Sequence, residues 1–158
     1  MKKICTGLII FIAIHLAVGS YQEISIKARP LKGLDSMGVV IEKLDKEAID
    51  IGLSKERLRT IVELRLRKEG IVVHGPLYIE SLKCLYVYAN VTRTAFCLRL
   101  SFYDSVILER DPSIIILTET WHDGGVGIHG NDAKTIEDSL SELMDSFLND
   151  FFEANPKK

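Results

Sequence analysis

The chain has 158 residues, with 20 Lys plus Arg against 22 Asp plus Glu and a hydrophobic content of 47%. That length holds one domain with a working core. The mildly acidic balance argues against nucleic acid or an anionic membrane as a main partner, since both require clustered basic surface.

The N-terminus reads as a secretion signal. Lys2 and Lys3 make a positive start, Gly7 to Val18 an apolar segment, and Ala17-Val18-Gly19 a small-residue cleavage site, which places cleavage near Gly19 or Ser20. The apolar run is shorter than the roughly 20 residues of a spanning helix and is interrupted by His15. Cys5 precedes that run and is misplaced for lipid anchoring. The expected organisation is a signal peptide over 1–20, a polar leader over 21–36 and a single α+β domain over 37–158. The mature protein is expected to be periplasmic or secreted, without stable membrane insertion. Loss of Lys2 and Lys3 leaves 18 cationic against 22 acidic side chains.

Gly38 to Leu44 predicts a strand, and the acidic, glycine-containing stretch from Asp45 to Gly52 a loop. Ser54 is placed to cap a helix that Gly70 terminates, with a core face of Leu58, Ile61, Val62 and Leu66. Its charged residues, Lys55 to Lys68, mix both signs and suit a solvated face. After Gly70 the period falls from 3.6 to 2, giving a short strand from Ile71 to His74, a break at Gly75-Pro76 and a longer strand from Lys83 to Thr92. A hairpin turn at Arg93-Thr94 pairs Val91 with Phe96 and Ala89 with Leu98. Leu85, Val87, Ala89, Val91, Phe96, Leu98, Leu100 and Phe102 then share one buried face.

A further strand, Ser113 to Trp121, follows the Asp111-Pro112 break and is expected to end in a glycine-rich loop. Ile136, Leu140, Leu143, Met144, Phe147, Leu148 and Phe151 recur at helical spacing, behind Asn131 or Asp132 as cap. The order β-α-β-β-β-β-α predicts a two-layer sandwich. A mostly antiparallel sheet of four to five strands carries two amphipathic helices on one face.

Leu31-Lys-Gly-Leu34, Val62-Glu-Leu-Arg-Leu-Arg-Lys68, Leu85-Tyr-Val-Tyr-Ala-Asn-Val91, Thr120-Trp121 and Gly124-Gly-Val-Gly127 resemble segments of a group of small uncharacterised exported bacterial proteins. The resemblance spans nearly the whole mature chain. It implies a fold and a compartment, and no activity.

Three features bear on chemistry. Gly125-Val-Gly127-Ile-His-Gly130 is a literal GxGxxG, but no parallel strand follows the helix to complete a dinucleotide fold. The glycines are better read as a tight connection, through positive φ or close packing, and no cofactor is expected. His122, Asp123, His129 and Asp132 lie within eleven residues, yet match no zinc spacing and have no indicated nucleophile. Solvated loop residues and helix capping are the favoured reading, and a ligand cluster at His122, Asp123 and His129 the weaker one. Cys84 and Cys97 are the thiols remaining after processing. The hairpin register sets Cys97 opposite Asn90 and Cys84 opposite Tyr103, about 20 Å apart at strand rise, whereas a slipped register would bring them together.

Tyr86, Tyr88, Arg99 and Tyr103 fall on the opposite, wet face of the hairpin with both cysteines and Asn90, in residue types favoured at interfaces. The expected function is therefore a non-enzymatic binding or interaction module that uses this face for a protein partner or small ligand, and a homodimer is compatible with it. The alternative is a small metal-dependent or hydrolytic enzyme built on His122, Asp123 and His129.

Overall fold

The computed structural model describes residues 23–75 and 83–156. The expected signal peptide, its cleavage near Gly19 and Ser20, and Pro76 lie outside the described residues. The fold is α+β. A five-stranded sheet in the order β2-β1-β3-β4-β5 is built from β1 (Ser36–Ile41), β2 (Val72–His74), β3 (Cys84–Val91), β4 (Ala95–Leu108) and β5 (Asp111–Ile128). The described helices are α1 (Lys46–Asp50), α2 (Lys55–Lys68) and α3 (Ala133–Ala154), preceded by a 3₁₀ turn at Arg29–Leu31.

The sheet is mixed. β1 pairs in parallel with both β2 and β3, and only the longer β3-β4-β5 part is antiparallel. Alternation along a strand reveals a buried face but carries no information on strand direction. The β3-β4 hairpin has the expected register, with Val91 opposite Phe96, Ala89 opposite Leu98, Asn90 opposite Cys97 and Cys84 opposite Tyr103. Both cysteines are accordingly free thiols.

Helices α2 and α3 cover the same sheet face, α2 over β1 and β2, α3 over β4 and β5. Ser54 Oγ accepts the Arg57 N–H at 3.2 Å, and Gly70 takes a φ of +82° after the last turn of α2. Leu58, Val62 and Leu66 are fully buried, and Ile61 packs against the core from its margin. In α3 the apolar stripe buries Ile136, Leu140, Met144, Phe147, Leu148 and Phe151. The opposite charges of the two helices meet within the chain, where Arg57 pairs with Glu137 at 2.8 Å and Arg65 pairs with Asp145.

Three expectations are corrected. The segment read as a leader contributes Ala28, Leu31 and Leu34 to the core, because the 3₁₀ turn packs on α3 and β5. Asn155 fastens it, its side chain donating to the Leu31 carbonyl and accepting the Gly33 N–H. The predicted loop after β1 contains α1. Asp45 caps it through the Ala48 N–H at 2.7 Å and accepts the Val91 N–H at 2.8 Å with its other oxygen. The glycine-rich segment after Trp121 is not a loop, since β5 continues through Gly124, Gly125 and Gly127 to Ile128.

Candidate functional site

The face of the sheet opposite the helices is open among the described residues, with Val126 and Ile128 83% and 78% exposed upon it. Two-residue alternation along β3 and β4 places Cys84, Tyr86, Tyr88 and Asn90 on this face with Cys97, Arg99, Ser101 and Tyr103. All four residues of the expected interaction face, Tyr86, Tyr88, Arg99 and Tyr103, therefore share one surface. The Tyr86 and Tyr103 rings meet edge to face with centroids 5.9 Å apart, and Tyr88 stands opposite Arg99.

A polar chain runs beside the tyrosines. Arg99 Nη2 lies 2.5 Å from Glu119 Oε1, and His122 Nδ1 lies 2.9 Å from the same oxygen. Burial alone would raise the Glu119 carboxyl, but the Ser101 hydrogen bond and the neighbouring Arg99 and His122 outweigh it and hold it below its ordinary value. Glu119 thus belongs to the face as an anion. Sequence alternation misses it because the strand register shifts between Phe102 and Tyr103, so the side-chain parity of β5 changes at Thr120.

Burial also raises Tyr86, and hydrogen bonding to the Glu42 carboxylate adds to it, pushing the phenol up to about 12. In an absorbance titration of the folded protein, the last phenol to ionise is expected near that pH and to disappear in Tyr86→Phe. An unchanged final step in the variant would refute the Tyr86–Glu42 contact. Burial likewise raises the Cys84 thiol, which lowers its thiolate fraction and hence its reactivity.

The residues His122, Asp123 and His129 are not brought together. His122 is on the open face with Glu119, whereas Asp123, the next residue along β5, points to the helix side. There Asp123 accepts from Ser146 Oγ at 2.5 Å and from Lys27 Nζ at 3.0 Å. Lys27 also lies 3.3 Å from Asp150 and 5.0 Å from the centroid of the Trp121 ring. Burial opposes both charges, yet hydrogen bonds prevail: those to Asp123 and Asp150 raise Lys27, and those from Ser146 and Lys27 lower Asp123. This cluster fastens the 3₁₀ segment to β5 and α3.

His129 follows the far end of β5, about 20 Å from His122 at strand rise. It is 2% exposed, which corrects its reading as a solvated loop residue. Its Nδ1 accepts the Asn131 N–H at 3.0 Å, so the proton of the neutral ring sits on Nε2 and is donated to the Thr92 carbonyl at 3.0 Å. The histidine thereby ties the β3-β4 turn to the start of α3, where Asp132 is the cap and accepts the Lys134 N–H. Among the described residues, no group of three or more His, Cys, Asp or Glu side chains is arranged to hold a metal ion.

No helix among the described residues is long and apolar enough to cross a membrane. No protein-family model matches the chain, and no curated protein matches it in sequence.

Proposed function

We propose that the chain is an exported, non-enzymatic interaction module of the bacterial envelope that engages a protein partner through the open sheet face. The observation that carries this reading is the cluster of Tyr86, Tyr88 and Tyr103 beside Arg99 on a face that the described residues leave uncovered, with Val126 and Ile128 extending its apolar area. Tyrosine supplies large contact area at low entropic cost, and arginine supplies directed hydrogen bonds, the mixture typical of binding surfaces. The signal-like N-terminus supports a periplasmic or secreted location.

Capture from envelope extract by the mature protein tests the reading. Replacement of Tyr86 and Tyr103 by Ala together is expected to abolish recovery of the partner, and so is Arg99→Glu, which reverses a charge while leaving the tyrosines in place. Circular dichroism of each variant separates loss of binding from loss of fold. Unchanged recovery by folded variants discards the sheet face as the binding surface.

A further inference from the structure

The β4-β5 hairpin outruns the rest of the sheet. Pairing of β4 with β3 ends at Tyr103 opposite Cys84, but β4 and β5 continue together to Leu108 and Asp111. Over residues 104–118 the arm consists, among the described residues, of two strands alone, an arrangement of marginal stability in water. It is nevertheless aliphatic on both faces. Ile107, Ile115 and Leu117 project on the side continuous with Tyr103, Ile116 projects on the other beside Val106, and the arm's exposed isoleucines and leucine are 39–64% exposed.

The arm also carries the outer edge of the sheet, since β5 is its terminal strand among the described residues. Natural edges are usually blunted by proline, charge or a bulge. Here Pro112 protects one end, and Glu119 with the register shift at Phe102/Tyr103 protects the other. Between them Ser113-Ile-Ile-Ile-Leu-Thr118 is an uncharged, unblunted run of strand-forming residues.

We propose that this edge pairs antiparallel with the same edge of a second copy, about a two-fold axis passing through Ile116. An isologous contact must be self-complementary, and in an antiparallel self-pair the opposed residues must share a face. With the axis at Ile116, that residue meets its own counterpart, Ile115 meets Leu117, and Ile114 meets Thr118. One face then carries the row Val106, Ile116, Ile116, Val106, and the other the row Ile107, Ile115, Leu117, Ser105. An axis one residue earlier would set Ser113 against Leu117 and draw Pro112, which has no N–H, into the ladder. The two sheets join into one of ten strands, within the range of open sheets.

A lipid bilayer is the less suitable occupant, because Glu109, Arg110 and Asp111 form the tip of the arm and would have to enter the apolar phase first. The tyrosine face is not required for this pairing, so dimerisation and partner capture are separable.

Sedimentation of the mature chain at tens of micromolar is expected to show a dimer. Ile116→Lys is expected to give a folded monomer, Ile116→Thr to weaken association at least tenfold, and Val126→Lys, away from the arm, to leave the dimer intact. In a background with Cys84 and Cys97 replaced by Ser, Ile116→Cys is expected to cross-link two copies under mild oxidation. A wild-type monomer at these concentrations overturns the proposal. So does a dimer that survives Ile116→Lys, which would place the contact elsewhere. Co-sedimentation of wild-type monomer with phosphatidylcholine vesicles would assign the arm to a membrane and overturn it equally. Partner capture retained by Ile116→Lys would leave the sheet-face reading standing whatever the oligomer.

Discussion

Replacement of Trp121 by Ala is expected to lower the unfolding free energy by about 3–5 kcal/mol, the range for truncating a large buried aromatic. Trp121 is 2% exposed and meets Phe147 edge to face, with ring centroids 5.1 Å apart at 81°. Its indole N–H donates to Asp150 at 2.8 Å, and Lys27 lies over the ring. One side chain therefore joins β5, α3 and the 3₁₀ segment. Trp121→Phe should retain part of the stacking but remove a hydrogen-bond donor from Asp150, with a smaller loss of about 1–3 kcal/mol. Urea denaturation followed by far-UV circular dichroism measures both, since the chain's single tryptophan is the residue removed. A cost for Trp121→Ala below that for Trp121→Phe would contradict this role.

The buried face of the β3-β4 hairpin was legible in the sequence because eight alternating aliphatic and aromatic side chains share it when the turn falls at Arg93-Thr94, whereas a slipped register spends Val91 on the turn. Helices α2 and α3 were legible for the same kind of reason, since cap and apolar stripe agree at each and Gly70 ends α2. The pattern could not show that β1 runs parallel to its neighbours. Nor did the polar composition around Ala28 and Leu31 disclose their burial, which depends on a long-range contact with α3. His122 and Asp123 illustrate a different failure. Adjacent residues on a strand face opposite ways, so their divergence follows once β5 is known to pass through them. The glycines beyond Trp121 concealed that extension.

Those glycines have a packing role that separates them, and a matched pair of substitutions exposes it. A Cβ at Gly124 would lie 2.6 Å from the Leu98 carbonyl oxygen and 3.1 Å from the Arg99 Cα, whereas one at Gly125 would meet nothing within 4 Å. The first obstruction is backbone, so relief requires β4 and β5 to move apart; no side-chain rotation can provide it. Gly124→Ala is therefore expected to cost about 1–3 kcal/mol, as overpacking does. Gly125→Ala should be neutral or stabilise by up to about 1 kcal/mol, through reduced freedom of the unfolded chain. Gly127 is intermediate, because its new Cβ would meet the Phe96 ring at 2.6 Å, a side chain that can tilt at some loss of packing. Thermal or urea unfolding of the three variants should rank Gly124→Ala as the most damaging and Gly125→Ala as the least. Equal effects at Gly124 and Gly125 would mean that the two strands do not approach this closely. The GxGxxG pattern then has a structural reading in which its glycines differ: Gly125 and Gly127 lie within β5, where only Gly127 is closely packed, against Phe96, and Gly130 follows the strand at a φ of +56°.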